Sequence, residues 1–324
     1  MKVCIYGAGA IGGWIGHHLA RCGARVSVVA RGATLAALAA HGLQLVQGNT
    51  LSAQFVHAND DPAALGAQDV VVLAVKAPSL PAVASAIAPL LGSQTIVLTA
   101  MNGVPWWFLN DFGGEFSGQS LTSVDPNGDI ARAIAAHHLL GCVVHASCSV
   151  DAPGLVRHHF GHKIIVGEPA GHITPRVTAL SDMLTTAGFE APVSTHIQHD
   201  IWFKLWGNMT VNPISALTGA TTDLIMGDPL VLGFVSNVML EAKAIGARLG
   251  ITIDQQPADR HAVTRKLGAF KTSMLQDVQA RKPVELDALV GAVRELGQLT
   301  GVATPFTDAL LGLAQLQARG LGLY

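Results

Sequence analysis

The sequence predicts an α/β protein in which an N-terminal domain built on a parallel sheet precedes a mainly α-helical domain. Three patterns predict this division. An apolar run at residues 3–6 leads through a glycine-rich turn into a helix-periodic stretch, strand-like and helix-like segments then alternate to residue 99, and the periodicity becomes helical after residue 175. With 324 residues, half of them hydrophobic, the chain can build a core in each of two domains.

The first strand, turn and helix carry a phosphate-binding pattern, Gly7-Ala8-Gly9-Ala10-Ile11-Gly12. In this pattern Gly7 permits the tight turn, Gly9 lets the backbone approach a pyrophosphate, and Gly12 allows the helix to pack closely on the strand. A second strand, residues 25–30, follows at the spacing that a βαβ unit requires. The segment therefore predicts a Rossmann-type dinucleotide-binding domain, the alternative being a turn that is purely structural.

The end of the second strand indicates which dinucleotide is bound. Enzymes that use NAD usually place Asp or Glu there to bind the ribose 2′-hydroxyl, whereas this chain has Ala30-Arg31 and no acid in residues 26–34. A guanidinium can contact a phosphate through two hydrogen bonds. We therefore predict NADP(H) as the cofactor, the alternative being that Arg31 is a solvated loop charge.

The remaining elements follow in order. In the N-terminal part we expect strands at residues 70–75 and 95–99 with a helix near 80–90 between them, and an antiparallel extension made of residues 139–150 with two shorter strands, 155–159 and 163–166. In the C-terminal part we expect helices at residues 201–217, 230–249, 273–281, 285–300 and 305–318. Residues 169–175 are the best linker candidate, so the predicted domains are residues 1–171 and 172–324.

Composition favours a small-molecule partner. A net charge of −2 without a long basic run argues against nucleic acid or an anionic membrane surface. Apolar stretches such as residues 70–75 are too short to cross a bilayer, and the N-terminal glycine spacing fits a nucleotide-binding turn better than a secretory signal. The four cysteines form no CxxC pair and are expected to be reduced. These features predict a cytoplasmic protein.

A metal site is not expected. The most tempting group of ligands is His158, His159 and His162, but no acidic or thiol partner stands at ligand spacing beside it. We therefore assign no metal ligands.

Two loops that follow predicted strands are expected to reach the cleft at the carboxyl ends of the sheet. Lys76 ends the apolar strand 70–75, on the expected nicotinamide side. Asn102 follows strand 95–99 and can both donate and accept hydrogen bonds to a ribose or a substrate. Trp106 and Trp107, a few residues on, either wall a pocket or fill the seam between the domains.

The helical half holds a polar stripe: Lys204, Asn208 and Asn212 recur every four residues and share one helix face. Tryptophans and aliphatic residues surround them, so the stripe is expected to face a site instead of bulk solvent; the alternative is an exposed helix face. A desolvated lysine has a lowered pKa and can act as general acid to a ketone oxygen, while the asparagines fix the substrate.

Taken together, these motifs resemble those of ketopantoate reductases, also called 2-dehydropantoate 2-reductases, over essentially the whole chain. The matching segments are residues 7–13, 73–76, 102–104, 204–208 with 212–213, 272–277 and 285–287. The resemblance implies Lys204 as general acid, Glu285 as the group that positions substrate and lysine, and Ser273 as the holder of the substrate carboxylate. It also implies that Asn208 and Asn212 bind the substrate, that Asn102 and Lys76 serve where cofactor and substrate meet, and that Arg31 holds the 2′-phosphate. On their own, Ser273 and Glu285 are typical of helix-capping and first-turn positions.

The resemblance implies transfer of hydride from NADPH to the C2 ketone of a 2-oxo acid, with pantoate as the product if the substrate is ketopantoate. Because Trp106-Trp107 departs from the smaller residues expected after the Asn102 loop, a different branched or bulkier 2-oxo acid is an alternative substrate. A non-catalytic NADP(H)-binding sensor is an alternative of another class, which the polar constellation opposes. The long helices could support a homodimer.

Overall fold

The structure, a computed structural model, describes residues 1–324 and contains one ten-stranded mixed sheet. The strands are β1 (Lys2–Tyr6), β2 (Arg25–Val29), β3 (Leu43–Gln47), β4 (Thr50–Gln54), β5 (His57–Asn59), β6 (Gln68–Leu73), β7 (Leu91–Thr99), β8 (Leu139–Ala152), β9 (Leu155–Gly167) and β10 (Val193–Ser194).

Twelve α-helices accompany the sheet. They are α1 (Ala10–Arg21), α2 (Gly32–His41), α3 (Leu80–Ala84), α4 (Asp129–Ala133), α5 (Pro175–Thr186), α6 (Ile197–Thr218), α7 (Thr222–Gly227), α8 (Pro229–Arg248), α9 (Pro257–Arg265), α10 (Ser273–Gln279), α11 (Ala292–Thr300) and α12 (Pro305–Gly320). Four single 3₁₀ turns and one π-helical turn, Asp287–Gly291, complete the regular structure.

The sheet order is β4-β3-β9-β8-β7-β6-β1-β2-β5, with β10 beside β9. The central strands β8, β7, β6, β1, β2 and β5 run parallel, and the pairs β8–β9 and β3–β4 are antiparallel. Both the parallel sheet and its antiparallel extension are as predicted, which confirms the fold class. The sheet curls around α1, which contacts strands from both ends of the order.

One predicted break in the sheet is absent, because β9 is continuous from Leu155 to Gly167 where two shorter strands were expected. Gly161 adopts a positive φ of 79°, and a Cβ there would lie 2.5 Å from the carbonyl oxygen of His145. The glycine lets the strand pass close to β8 and shift register without leaving the sheet. A glycine between strand-like runs therefore marks a bulge here and not a turn.

Helix α5 and strand β10 pack with the N-terminal sheet. Val177, Leu180 and Leu184 of α5 belong to the same apolar core as Val3 and Ile5 of β1, and β10 pairs with β9. The predicted division between residues 171 and 172 thus leaves residues 175–194 on the wrong side. Helical periodicity predicts a helix but not the layer against which its apolar face packs. We propose that the division lies between β10 and α6.

The C-terminal half is organised around α6, which packs against α8, α10 and α12 and against β8 of the sheet. Trp202 and Trp206 of α6 are fully buried, and the Trp206 indole donates a hydrogen bond to the carbonyl oxygen of Met239 (2.7 Å). The predicted helix at 285–300 begins as the π turn and continues as α11. The central position of α6 is what places its polar stripe between the two halves.

Helix α8 meets the length and hydropathy criteria for a membrane span. One such helix is weak evidence, because the core helix of a globular protein passes the same test. In this structure Val235, Val238 and Met239 on its inner side pack into the C-terminal core.

Candidate active site

The glycine-rich turn leaves room for a ligand at the start of α1. Gly7 has a φ of 100°, a conformation that other residues rarely adopt. A Cβ on Gly12 would lie 2.1 Å from the Gly7 carbonyl oxygen, so only glycine allows α1 to approach the turn this closely. Gly9, the N-cap of α1, has open space where a Cβ would stand. Phosphate oxygens can therefore approach the N-terminus of α1.

A cavity of about 310 Å³ adjoins this turn at the carboxyl ends of β1 and β2. Gly7, Ala8, Gly9 and Arg31 are among its lining residues, whereas Ala10, Ile11, Gly12, Lys76 and Asn102 are not. The hydroxyl of Tyr6 is buried in the same wall without a hydrogen-bond partner. The open glycine turn, the exposed Arg31 and this unpaired hydroxyl fit the phosphate groups of a dinucleotide.

Lys76 joins the two halves of the molecule. Its ammonium donates hydrogen bonds to Asp277 Oδ2 (2.7 Å) and Glu285 Oε2 (3.1 Å), and the neighbouring amide of Ala77 donates to Glu285 Oε1 (3.2 Å). Although burial alone would lower it, the pKa of Lys76 is raised because the carboxylates of Glu285 and Asp277 stabilise the charged form. Glu285 is thereby held at the carboxyl end of β6.

Lys204 extends from α6 towards the sheet. Its ammonium donates hydrogen bonds to Asn102 Oδ1 (2.8 Å) and to the carbonyl oxygen of Val144 on β8 (2.7 Å). It forms no salt bridge with an acid. Burial lowers its pKa from the usual 10.5 to about 8, although the charge of Glu285 acts in the opposite direction. Two residues predicted separately, Lys204 and Asn102, are therefore in direct contact.

The other predicted substrate residues lie on the elements beside Lys204. Asn208 lines a small cavity together with Lys204 and Asn102, and Asn212 is buried one turn further along α6. Ser273 is the first residue of α10, which packs against α6 and is capped by Thr272. The side chains of Asn208, Asn212 and Ser273 make no hydrogen bond within the protein, and of the three only Asn208 lines one of the cavities described here.

The two tryptophans that follow Asn102 have different environments. Trp106 lines an apolar cavity of about 170 Å³ together with Asn102, Ile201 and Glu285. Trp107 is fully buried in the core and packs against Gly141 at the start of β8. The expectation of a pocket wall thus applies to Trp106, and the expectation of packing applies to Trp107.

Sequence reasoning missed three charged residues near this cleft. Asp277 was noted only as part of a motif, yet it holds Lys76. Arg260 of α9 lies against α6 beside Gly207, and Lys282 lines the dinucleotide cavity from the C-terminal half. Their partners are distant in sequence, so the only local signal was Gly207, a glycine inside a long helix.

The histidines of β9 are in structural surroundings. The ring of His158 stacks on Trp14, with centroids 5.4 Å apart, and bonds to the Gly161 carbonyl oxygen, while His159 contacts the hydroxyl of Ser149. No group of three or more His, Cys, Asp or Glu side chains lies close enough together to hold a metal ion.

Comparisons with known proteins identify the family of the chain. Family models for ketopantoate reductase PanE/ApbA and for its C-terminal part match residues 3–108 and 196–318. A 2-dehydropantoate 2-reductase from Mesorhizobium japonicum is 46% identical over 325 residues, which covers all of both chains.

Solved structures show the same likeness. A candidate ketopantoate reductase from Ralstonia solanacearum MolK2 superposes with a TM-score of 0.96 at 55% identity, covering 99% of each chain. D-mandelate dehydrogenase, in a ternary structure with NADH and anilino(oxo)acetate, shares the fold with a TM-score of 0.85 at 22% identity, covering 99% of this chain and all of the other. The chain belongs to the ketopantoate reductase family, whose members are dinucleotide-dependent oxidoreductases acting on a 2-oxo acid.

Proposed function

We propose that this enzyme reduces 2-dehydropantoate to pantoate with NADPH. The observation that carries the proposal is Lys204, an ammonium group without an acidic partner that is held between the halves by Asn102 and Val144. A group of this kind, which lines a small cavity with Asn102 and Asn208, can stabilise and protonate an alkoxide that forms there.

The cofactor would lie along the glycine-rich turn. Gly7, Ala8 and Gly9 would contact its pyrophosphate at the N-terminus of α1, where Ala10, Ile11 and Gly12 form the first turn. Arg31 would bind the 2′-phosphate, because no acid at the end of β2 competes for that group. When bound, the reduced dinucleotide supplies the hydride. Lys76 and Asn102 would stand where cofactor and substrate meet.

Lys204 would be the general acid. At pH 7 a lysine with a pKa of about 8 is still mostly protonated, yet it gives up its proton far more readily than an ordinary lysine. Both of its present hydrogen-bond partners are acceptors, and they leave one N–H of the ammonium without a partner. The ketone oxygen of the substrate would accept the third N–H.

Glu285 would hold the protonated state of Lys204 and position the substrate. Its carboxylate is already fixed by Lys76 and by the amide of Ala77. Asn208, Asn212 and Ser273 would supply neutral hydrogen bonds, with Ser273 directed to the substrate carboxylate. A non-catalytic sensor would not need this set of groups together.

The cavity beside Trp106 favours a second candidate, a larger branched or aromatic 2-oxo acid reduced by the same groups. Apolar residues provide half of its lining, and the cavity opens next to Asn102 and Glu285. The site leaves space beyond the reacting carbonyl for an apolar substituent.

We also propose that the enzyme is cytoplasmic and forms a homodimer through its exposed helices.

The test is the initial rate of NADPH oxidation with ketopantoate, compared with NADH and with a panel of aliphatic and aromatic 2-oxo acids. Lys204→Ala removes the proposed acid, and Lys266→Ala, at an exposed lysine, is the matched control. We expect NADPH-dependent turnover in the wild type and in the control but not in Lys204→Ala. A higher specificity constant with another 2-oxo acid would replace the substrate and keep the mechanism, whereas cofactor binding without any turnover would support the sensor.

A further inference from the structure

Arg260 on α9 is a partly buried cation that has no acidic partner in the protein. Its Nε is buried and makes no hydrogen bond, and no acidic side chain forms a salt bridge with its guanidinium. Burial lowers its pKa from the usual value. A buried charge is costly unless it is paired. The arrangement is therefore typical of a group that awaits an anion.

The guanidinium lies directly against α6, beside the proposed acid. A Cβ on Gly207 would stand 2.5 Å from Arg260 Nε and 2.9 Å from Nη2, and Cζ lies 5.7 Å from the ring centroid of Phe203. Gly207 is three residues after Lys204 and one before Asn208. Glycine inside a helix costs about 1 kcal/mol relative to alanine, and here it provides the space that the guanidinium occupies.

The charges around Lys204 and Arg260 leave the region positive. Partial burial, together with the charges of Lys204 and Arg260, lowers the pKa of His145 on β8 to about 4. The one acid that acts in the opposite direction on His145 is Glu190, which is paired with Lys163 (2.6 Å). Cys142 lies near Lys204 but contributes no negative charge, because burial raises the pKa of its thiol to about 12 and keeps it neutral. The one negative charge that acts on Lys204 is that of Glu285, which already forms a salt bridge with Lys76.

We propose that Arg260 binds the carboxylate of the 2-oxo acid substrate while Lys204 contacts its ketone oxygen. The proposal rests on the proposed function for the identity of the substrate. The carboxylate and the ketone belong to adjacent carbons, and the two contact points on α6, Lys204 and Gly207, are three residues apart, a rise of about 4.5 Å along the helix. Because only Nε is closed off, the terminal nitrogens can donate to the carboxylate, and Ser273 would share it. Arg260 is then a substrate-binding residue that fixes orientation.

Equilibrium binding tests this without turnover. The oxidised cofactor, NADP⁺, is bound first so that no reduction occurs, and ketopantoate or 2-oxoisovalerate is titrated in a calorimeter. We expect Arg260→Gln to weaken binding about 10- to 100-fold, as for loss of a charge-assisted hydrogen bond, and Arg260→Lys to weaken it less. Arg248→Gln, at an exposed arginine, should bind as the wild type does. NADP⁺ affinity should be the same in all four proteins.

Two further measurements separate binding from a merely structural role. The methyl ester of the same oxo acid lacks the charge, so the preference of the wild type for the acid over the ester should shrink about tenfold or more in Arg260→Gln. Gly207→Ala pushes the guanidinium aside without removing it, so substrate binding should weaken while the melting temperature holds or rises.

Unchanged acid binding in Arg260→Gln, an unchanged preference for acid over ester, or a wild-type complex that binds no 2-oxo acid would overturn the proposal. If the wild type binds the acid through Arg260 but never reduces it, the proposed function fails and this inference stands. If turnover is normal and Arg260→Gln binds as tightly as the wild type, the inference fails and the proposed function stands.

Discussion

The lowered pKa of Lys204 should set the upper pH limit of the reaction. With a pKa of about 8, the acid is about 90% protonated at pH 7 but only about 3% protonated at pH 9.5, whereas an ordinary lysine would remain about 90% protonated there. The logarithm of kcat/KM should therefore bend downwards near pH 8 and fall about tenfold per pH unit above it. The difference between 10.5 and about 8 corresponds to about 3 kcal/mol that disfavours the ammonium form in the folded enzyme.

The neighbours of Lys204 determine how this limit moves. Burial lowers the pKa, Glu285 raises it and Arg260 lowers it, while Asn102 and the Val144 carbonyl are uncharged acceptors. Glu285→Gln should therefore move the bend in the pH profile of kcat/KM to a lower pH, and Arg260→Gln should move it to a higher pH. These shifts are expected even if either substitution also changes the value of kcat/KM on the plateau.

The assay is the initial rate of NADPH oxidation at saturating cofactor between pH 6 and 10, with circular dichroism to show that each variant stays folded. A plateau that continues to pH 9.5 in the wild type would refute Lys204 as a desolvated acid. A bend that is the same in Glu285→Gln as in the wild type would refute the electrostatic link between the two residues.

Three further predictions concern the cofactor, the acid and a buried histidine of α1. Arg31→Gln should raise KM for NADPH about 10- to 100-fold and leave KM for NADH within about twofold; equal effects on both would remove Arg31 from the 2′-phosphate site. Lys204→Met should lower kcat at least about 100-fold. It should nevertheless raise the free energy of unfolding at pH 7 by about 1 kcal/mol, because removing the buried ammonium gains about 3 kcal/mol and losing its hydrogen bonds to Asn102 and Val144 costs about 1 kcal/mol each. Urea unfolding measures this change in stability, and a large destabilisation would contradict the prediction. Burial lowers the pKa of His17 to about 4, so the unfolded chain takes up its proton first as pH falls from 6.5 to 4, and stability should drop by up to about 3 kcal/mol in that window. His17→Asn should flatten this slope in urea titrations and His57→Asn, at an exposed position, should not.

Local patterns predicted the parts of the site that one element forms alone. The glycine turn and Arg31 are fixed by a βαβ unit of about thirty residues, and Lys204, Asn208 and Asn212 share a face because helical periodicity puts them there. The partners of these groups depend on tertiary packing. Asp277 meets Lys76 across 201 positions, and the α9 residue Arg260 reaches α6 only because of how α7, α8 and α9 pack.

The same limit explains the differences in the fold. The change to helical periodicity after residue 175 was visible in the sequence, but the packing of α5 against the sheet was not, so the predicted division at residues 171 and 172 lies ahead of α5. Gly161 looked like a break because glycine punctuates both turns and bulges. Gly207 was the one local indication of Arg260. A glycine inside a helix indicates that another group packs closely against the helix, but it does not identify that group.

The most direct test of the proposed reaction is to follow the transferred hydride from NADPH to the product. NADPH carrying deuterium in both C4 positions of the dihydronicotinamide ring is incubated with the enzyme and ketopantoate, and the product is examined by mass spectrometry and NMR. We expect pantoate with deuterium at C2 from the wild type and none from Lys204→Met in the same time. Pantoate without deuterium, or the same labelled yield from Lys204→Met, would contradict hydride transfer to C2 with Lys204 as the acid.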